Sequence, residues 1–151
     1  MTQSAVEAAN RENLPVTEDD LAAITRELFA GMLQLPFEET EAAKCVGPHL
    51  KSSVGISGDW TGVVSVVVSE ALAERIAATL FNSDSVADGD IRDSLGEVAN
   101  IVGGNVKGAI DKQCSLSLPV VEEVVGDEDG SGRWSAYQCD SELFWIVVDS
   151  Q

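Results

Sequence analysis

The sequence predicts an α/β (α+β) domain in which about three helices pack on one mainly antiparallel sheet of five or six strands. Three observations support this fold class. Helical periodicity occurs three times, and each helical segment is preceded by helix-capping residues. Short runs rich in β-branched and apolar residues lie between and after these segments, bounded by turn residues. The length of 151 residues, with 44% hydrophobic residues, suits one domain with its own core.

The first helix is predicted to begin at Thr17. Residues 1–16 are polar, lack periodicity and contain Pro15, so they are expected to form a disordered leader before a domain spanning residues 17–151. Thr17 and Asp20 have the spacing of a helix N-cap. The apolar face of the helix is predicted from residues three and four apart, namely Leu21, Ile24, Leu28 and Met32.

The next segment carries the signal of a β-hairpin. An acidic stretch after the first helix leads into a possible edge strand that ends near Val46. Residues 51–57 and 62–68 are then rich in β-branched residues and are separated by the turn residues 58–61. Residues 66–68 are three consecutive valines without polar alternation, so we expect this strand to be covered on both faces.

Ser69 is predicted to cap a second helix that runs to Leu80, and a loop follows. The C-terminal part of the chain is predicted to form strands. Residues 115–120 alternate serine or proline with apolar residues, and Pro119 indicates an edge position or a bulge. Residues 122–132 are expected to be an acidic, glycine-containing hairpin loop, whose tip at 127–130 lacks the ligand spacing of a calcium loop. Two strands follow at 134–139 and 143–148, joined by a tight turn.

The central element of the prediction is a helix over residues 90–113. Its apolar stripe consists of residues at spacings of three and four, namely Ile91, Leu95, Val98, Val102, Val106 and Ala109. Glu97 and Asn100 fall in the opposite polar sector, beside Asp93 and Gly104, and are neighbours on the helix surface. Because glycine and asparagine disfavour helix interiors, we interpret this face as a docking surface that carries a small active site.

Charge and composition exclude several function classes. The formal net charge of −17 disfavours binding to nucleic acid or to an anionic membrane, and no apolar run reaches the roughly 20 residues of a membrane span. The chain has an odd number of cysteines, which are widely spaced: Cys45, Cys114 and Cys139. This usage indicates a reduced cytoplasmic protein with buried thiols. His49 is the only histidine, so a multi-histidine metal site is excluded and a catalytic triad would have to use that residue. No metal site is predicted.

The Glu-x-x-Asn pattern alone is weakly specific. A second copy, Glu7 to Asn10, lies in the predicted leader, where no packed helix is expected. The alternative interpretation of Glu97 and Asn100 is an ordinary solvated helix face. The amphipathic context and the adjacent glycines distinguish this pair from the copy in the leader.

With its neighbours, the pair forms a more specific pattern. Residues 96–105, GEVANIVGGN, resemble the signature helix of the CheC/CheX/FliY chemotaxis phosphatases, in which Glu-x-x-Asn is followed by a Gly-Asn pair. The single motif is similar to CheX, because CheC proteins usually carry two such helices. The resemblance extends from about Thr17 and includes residues 55–77 and 115–121.

The resemblance implies hydrolysis of the aspartyl-phosphate on a phosphorylated response-regulator receiver domain that is CheY-like. Glu97 would pair with the receiver's lysine and Asn100 would orient the attacking water, while Asp93, Ile101 and Gly104 would contact the partner. Mg²⁺ is expected on the receiver, and no cofactor on this chain.

Several alternatives stay open. The same helix could serve a non-catalytic adaptor that binds a receiver or a flagellar switch protein, and a homodimer is possible. Receiver pockets are themselves acidic, so a partner with net charge −17 would be repelled at long range.

Overall fold

The structure is a computed structural model that describes residues 14–110, 112–126 and 131–151. In these residues three helices lie on one seven-stranded antiparallel sheet, which confirms the predicted fold class with a slightly larger sheet. The helices are α1 (Glu18–Arg26, continued by a π-helical segment, Glu27–Leu33), α2 (Glu70–Phe81) and α3 (Asp88–Ile110). The strands are β1 (Glu38–Glu39), β2 (Pro48–Gly58), β3 (Gly62–Val68), β4 (Cys114–Leu116), β5 (Val120–Val125), β6 (Arg133–Cys139) and β7 (Glu142–Ser150).

The strand order is β1-β6-β7-β3-β2, and both β4 and β5 pair with the free edge of β2. The β2–β3 hairpin and the β6–β7 hairpin form as predicted. The strand predicted over 115–120 consists instead of the end of β4 and the start of β5, with a break at residues 117–119. Pro119, which has no amide hydrogen to donate to a sheet, lies in this break, as expected for an edge or a bulge.

The segment between β5 and β6 differs from the prediction. Residues 122–125 belong to β5 rather than to a loop, and β5 pairs with β2 whereas β6 pairs with β1 and β7. The connection between β5 and β6 is therefore not a hairpin turn. The predicted tip at 127–130 lies outside the described residues.

Helix α1 begins as predicted, because the Thr17 side chain accepts a hydrogen bond of 3.0 Å from the Asp20 amide. Its continuation into a π-helical segment changes which residues face the core. Leu28 and Leu33, five residues apart, are both buried, whereas Met32 is 55% exposed. The predicted place of Met32 on the apolar face is wrong, because π-helical turns close between residues five apart rather than four.

The predicted leader, residues 1–16, lies outside the described residues except for its last three. Val16 is fully buried and Leu14 packs against the same core. The packed part of the chain therefore begins before Thr17.

The core lies between the helices and one face of the sheet, and a smaller apolar cluster covers the other face. The consecutive valines Val66–Val68 are all buried, as predicted for a strand covered on both faces. On the second face the indole of Trp145 donates a 2.9 Å hydrogen bond to the carbonyl of Ala43, and Cys45 packs nearby. The predicted edge strand ending near Val46 does not form, because residues 40–46 contain no strand and β1 lies in the acidic stretch before them. Val46 itself is 73% exposed.

Two further expectations can be compared with the structure. Cys45 and Cys139 are buried and Cys114 is half-buried, so the expectation of buried thiols holds for two of the three cysteines. His49 lies in β2, where its ring packs edge-on against Trp145 at 5.5 Å and its Nδ1 is 3.1 Å from the Gly47 carbonyl. None of the helices described is long and apolar enough to span a membrane.

Candidate active site on the central helix

Helix α3 spans Asp88–Ile110, so it begins two residues before the predicted start and ends before the predicted end at 113. The side chain of Asp90 accepts a 3.2 Å hydrogen bond from the Ala87 amide at the helix start. The predicted apolar stripe is buried from Ile91 to Val106. The prediction that Ala109 ends the stripe is wrong, because Ala109 is exposed and Ile110 makes the final core contact.

A second side of α3 is also buried, which the sequence interpretation did not include. Gly96 lies against Pro119, and a Cβ on Gly96 would be 3.3 Å from the proline Cγ. A Cβ on Gly103 would overlap Cγ2 of the buried Val54. These two glycines therefore allow the helix to approach the sheet closely, and they do not smooth an exposed face.

The predicted site residues occupy the sector of α3 that remains. Glu97 and Asp93 are exposed, and Asn100 and Gly104 are half-buried. A Cβ on Gly104 would be 3.9 Å from Cδ1 of Leu116, an ordinary contact distance. Ile101 is half-buried and packs against the core, so little of it is free for a partner. The structure therefore brings Glu97 and Asn100 together on an accessible stripe.

Two asparagines of this helix differ in their hydrogen bonding. The amide of Asn105 donates a 2.9 Å hydrogen bond to the carbonyl of Ile101, one turn earlier in the same helix. Within the described part of the chain, neither Asn100 nor Glu97 has a hydrogen bond or an ion pair through its side chain. The carboxylate of Glu97 and the amide of Asn100 are therefore available to an external ligand.

The helix that carries this pair is fixed to the sheet by two side-chain hydrogen bonds close to the pair. The hydroxyl of Ser52, fully buried on β2, donates a 2.7 Å hydrogen bond to the Leu95 carbonyl. The guanidinium of Arg92 donates a 3.0 Å hydrogen bond to the Val121 carbonyl on β5. Both bonds hold the helix within two turns of Glu97, so the pair stands on a rigid support, as precise positioning of reacting groups requires.

The accessible stripe ends in a depression of about 460 Å³ beyond Gly104. Its lining combines glycines, two lysines and polar residues, namely Asp59, Gly104, Lys107, Gly108, Lys112 and Gln113. The sequence interpretation did not single out the lysines, although Lys107 is two helical turns from Asn100 and therefore on the same side. Among the described residues, no group of three or more histidine, cysteine, aspartate or glutamate side chains could hold a metal ion.

Comparisons with known proteins identify the family and the fold. The family model "Chemotaxis phosphatase CheX" matches residues 50–125, half of the chain, and this range contains Glu97 and Asn100. No curated protein sequence matches significantly.

Solved structures share the fold at low sequence identity. The chemotaxis protein CheX from Vibrio vulnificus superposes with a TM-score of 0.75 at 17% identity, covering 92% of this chain and 99% of that chain. Thermotoga maritima FliY gives a TM-score of 0.62 at 14% identity, covering 99% and 91%. A chain of the CheX–CheY–BeF₃–Mg²⁺ complex from Borrelia burgdorferi gives 0.58 at 11% identity, covering 88% and 94%. With the family model spanning the candidate site, the chain belongs to the chemotaxis phosphatase CheX family.

Proposed function

We propose that this protein hydrolyses the aspartyl-phosphate of a CheY-like receiver domain in the cytoplasm, with Glu97 and Asn100 as its site residues. The observation that carries the proposal is the pair itself. A carboxylate and an amide three residues apart on one rigid helix are accessible and have no partner among the described residues. The family match and the CheX–CheY complex among the structural neighbours support the choice of partner.

Asn100 acts on the attacking water. An amide can both donate and accept a hydrogen bond, so it can fix the orientation of a water molecule in line with the phosphorus. The water oxygen bonds to phosphorus as the bond to the aspartyl oxygen breaks, which releases the receiver carboxylate and inorganic phosphate. Phosphoryl transfer has a loose transition state, so positioning contributes more than a strong base. Half-burial restricts the amide and favours this role.

Glu97 acts on the partner. Its exposed carboxylate lies one helical turn from Asn100 and can pair with a lysine of the receiver. That contact would place the phosphoryl group over Asn100. Gly104 leaves room for the receiver to approach Asn100, and Asp93 and Ile101 border the surface that the receiver contacts. Mg²⁺ would be supplied by the receiver, since this chain's contribution needs only a carboxylate and an amide.

The test is the decay of phosphorylated receiver with wild-type protein and with two variants. Asn100→Ala is expected to lower kcat by on the order of 10²-fold or more, the effect of removing one positioned polar group. Glu97→Lys is expected to raise KM, because it places like charges together. Asn105→Ala is the matched control, since that amide bonds to its own helix.

Two results would contradict the proposal. A well-folded Asn100→Ala protein with wild-type activity would remove Asn100 from the reaction. Tight binding of the wild-type protein to a BeF₃-loaded receiver, without any acceleration of dephosphorylation, would identify a non-catalytic adaptor instead.

A further inference from the structure

The described lining of the depression beyond Gly104 has a net positive charge, opposite to that of the protein as a whole. The chain has 26 acidic and 9 basic residues, yet two of its four lysines, Lys107 and Lys112, line this one site. The three ion pairs in the described residues all use arginines, so neither lysine is paired with a described carboxylate. Asp59 is the one described acidic residue in the lining, and its Oδ2 accepts a 3.2 Å hydrogen bond from the Gln113 amide.

The depression is continuous with the candidate active site. Asn100 and Lys107 are seven residues apart, which places them on one side of α3 about 10 Å apart along its axis. Gly104 lies between them, and Gly108 has no atom within 4 Å of the position that a Cβ would take. The backbone bond from the Asp59 amide to the Gln113 carbonyl, 3.0 Å long, fixes the far rim.

A protein that docks with Asn100 near the centre of its interface also covers this depression. A standard interface buries about 800 Å² per partner, equivalent to a disc of roughly 16 Å radius, which is larger than the separation of Asn100 from Lys107. Covering a lysine without supplying a counter-charge is costly, because the ammonium group loses its water. The covering surface must then contribute carboxylates, or the complex is weakened.

We propose that Lys107 and Lys112 bind acidic side chains of the receiver beside its phosphorylation pocket, and so form the electrostatic part of the docking surface. This inference rests on the proposed function. It accounts for how a chain of net charge −17 associates with an acidic partner, since a local pair of cations directs the approach to one side of the central helix.

The experiment compares Lys107→Glu, Lys112→Glu and the double variant with Lys44→Glu, an exposed lysine next to the cluster on the opposite face of the sheet. Each single variant changes the net charge equally, so Lys44→Glu controls for overall repulsion. KM and kcat for dephosphorylation of the receiver are measured at low and at physiological salt. The double variant is expected to raise KM by roughly tenfold at low salt, to leave kcat within about twofold, and to lose much of the difference as salt screens the charges.

Three results would overturn the inference. The first is a KM in each single lysine variant equal to that of Lys44→Glu, which carries the same change in net charge. The second is a fall in kcat with unchanged KM, which would assign the lysines to the chemical step. The third is competitive inhibition by inorganic phosphate that weakens in the lysine variants while the receiver KM stays constant, which would indicate a small-anion site. Lys107→Gln with Lys112→Gln repeats the test if the glutamate variants fail to fold.

The two proposals can fail separately. Full activity of Asn100→Ala contradicts the phosphatase mechanism. An inactive Asn100→Ala protein, together with a double lysine variant of wild-type KM, contradicts only the role of the lysines.

Discussion

Gly103 and Gly104 are adjacent in the sequence but have different physical roles. A Cβ on Gly103 would overlap Val54, whose branched side chain is buried and cannot rotate away easily. A Cβ on Gly104 would meet only Leu116, at 3.9 Å. Gly103 therefore permits close packing of the helix on β2, whereas Gly104 keeps the accessible stripe open beside Asn100.

This difference predicts opposite effects on stability. Gly103→Ala is expected to destabilise the protein by about 1–3 kcal/mol, because the added methyl overpacks the core. Gly104→Ala is expected to be neutral or to stabilise it by up to ~1 kcal/mol, because alanine is the better helix former. Urea unfolding of both variants measures the difference in free energy. Equal changes in the free energy of unfolding would mean that α3 does not pack closely on Val54 through Gly103.

The sequence predicted that Glu97 and Asn100 lie outside the apolar stripe, and it predicted the environment of the glycines only in part. Side-chain chemistry indicated that Glu97 and Asn100 face away from the apolar stripe, and both are accessible. Glycine has no side chain to indicate which environment it prefers. Whether Val54 or solvent lies opposite Gly103 depends on β2, which is about fifty residues away in the chain and cannot be inferred from helix spacing.

At the scale of elements, the first helix departs from regular periodicity. Regular helical spacing of three and four residues predicts Met32 on the apolar face, but the π-helical segment turns Leu33 into the core instead. Local sequence does not specify where a helix changes its turn, since that depends on how the helix fits against its neighbours. The hairpin of β2 and β3 was predictable because turn residues and β-branched runs are local signals.

The adjacent residues Met32 and Leu33 test directly whether the end of the first helix is π-helical. Leu33→Ala is expected to cost about 2–5 kcal/mol, the usual result of deleting a buried leucine side chain. Met32→Ala is expected to change the unfolding free energy by no more than about 0.5 kcal/mol, because the side chain is largely exposed. Thermal unfolding monitored by circular dichroism gives both values. A larger loss for Met32→Ala would mean that this segment continues as a regular α-helix.

The pairing of strands was the least predictable feature of the elements. The sequence indicated a hairpin between the last edge strand and β6, because glycine and acidic residues lie between them. In the structure β5 pairs with β2, while β6 lies across the sheet beside β7. Turn propensity reports that a chain reverses or bends, and it carries no information about which strand becomes the neighbour.

At the scale of the whole molecule, the net charge was evident from composition but its distribution was not. Self-repulsion among 26 acidic residues disfavours the compact state, and salt screens it. The three ion pairs among the described residues lie largely at the surface, since five of their six side chains are more than a third exposed, so they contribute little to stability. Burial of apolar side chains between the helices and the sheet is therefore the main stabilising term, and it also governs how buried titratable groups respond to pH.

Tyr137, the single tyrosine of the chain, makes the stability of the protein depend on pH in the alkaline range. It lies on β6, 3% exposed, with its ring near those of Phe37 and Phe144. Burial, reinforced by the negative charge of Glu18, raises the pKa of Tyr137 from 10.0 to about 12. Between these values the unfolded chain loses the phenolic proton while the folded protein retains it, so stability falls as the pH rises.

The expected loss from this group is at most about 3 kcal/mol, since one pKa unit corresponds to roughly 1.4 kcal/mol. Tyr137→Phe removes the titration and keeps the ring, so its unfolding free energy should decline less between pH 10 and pH 12. The buried Cys139 thiol, whose pKa burial also raises, affects both proteins equally and cancels in the difference. Urea unfolding at intervals from pH 8 to pH 12 gives the two curves. Parallel curves would show that Tyr137 ionises as readily in the folded protein as in the unfolded chain, and that β6 is less well covered than its burial implies.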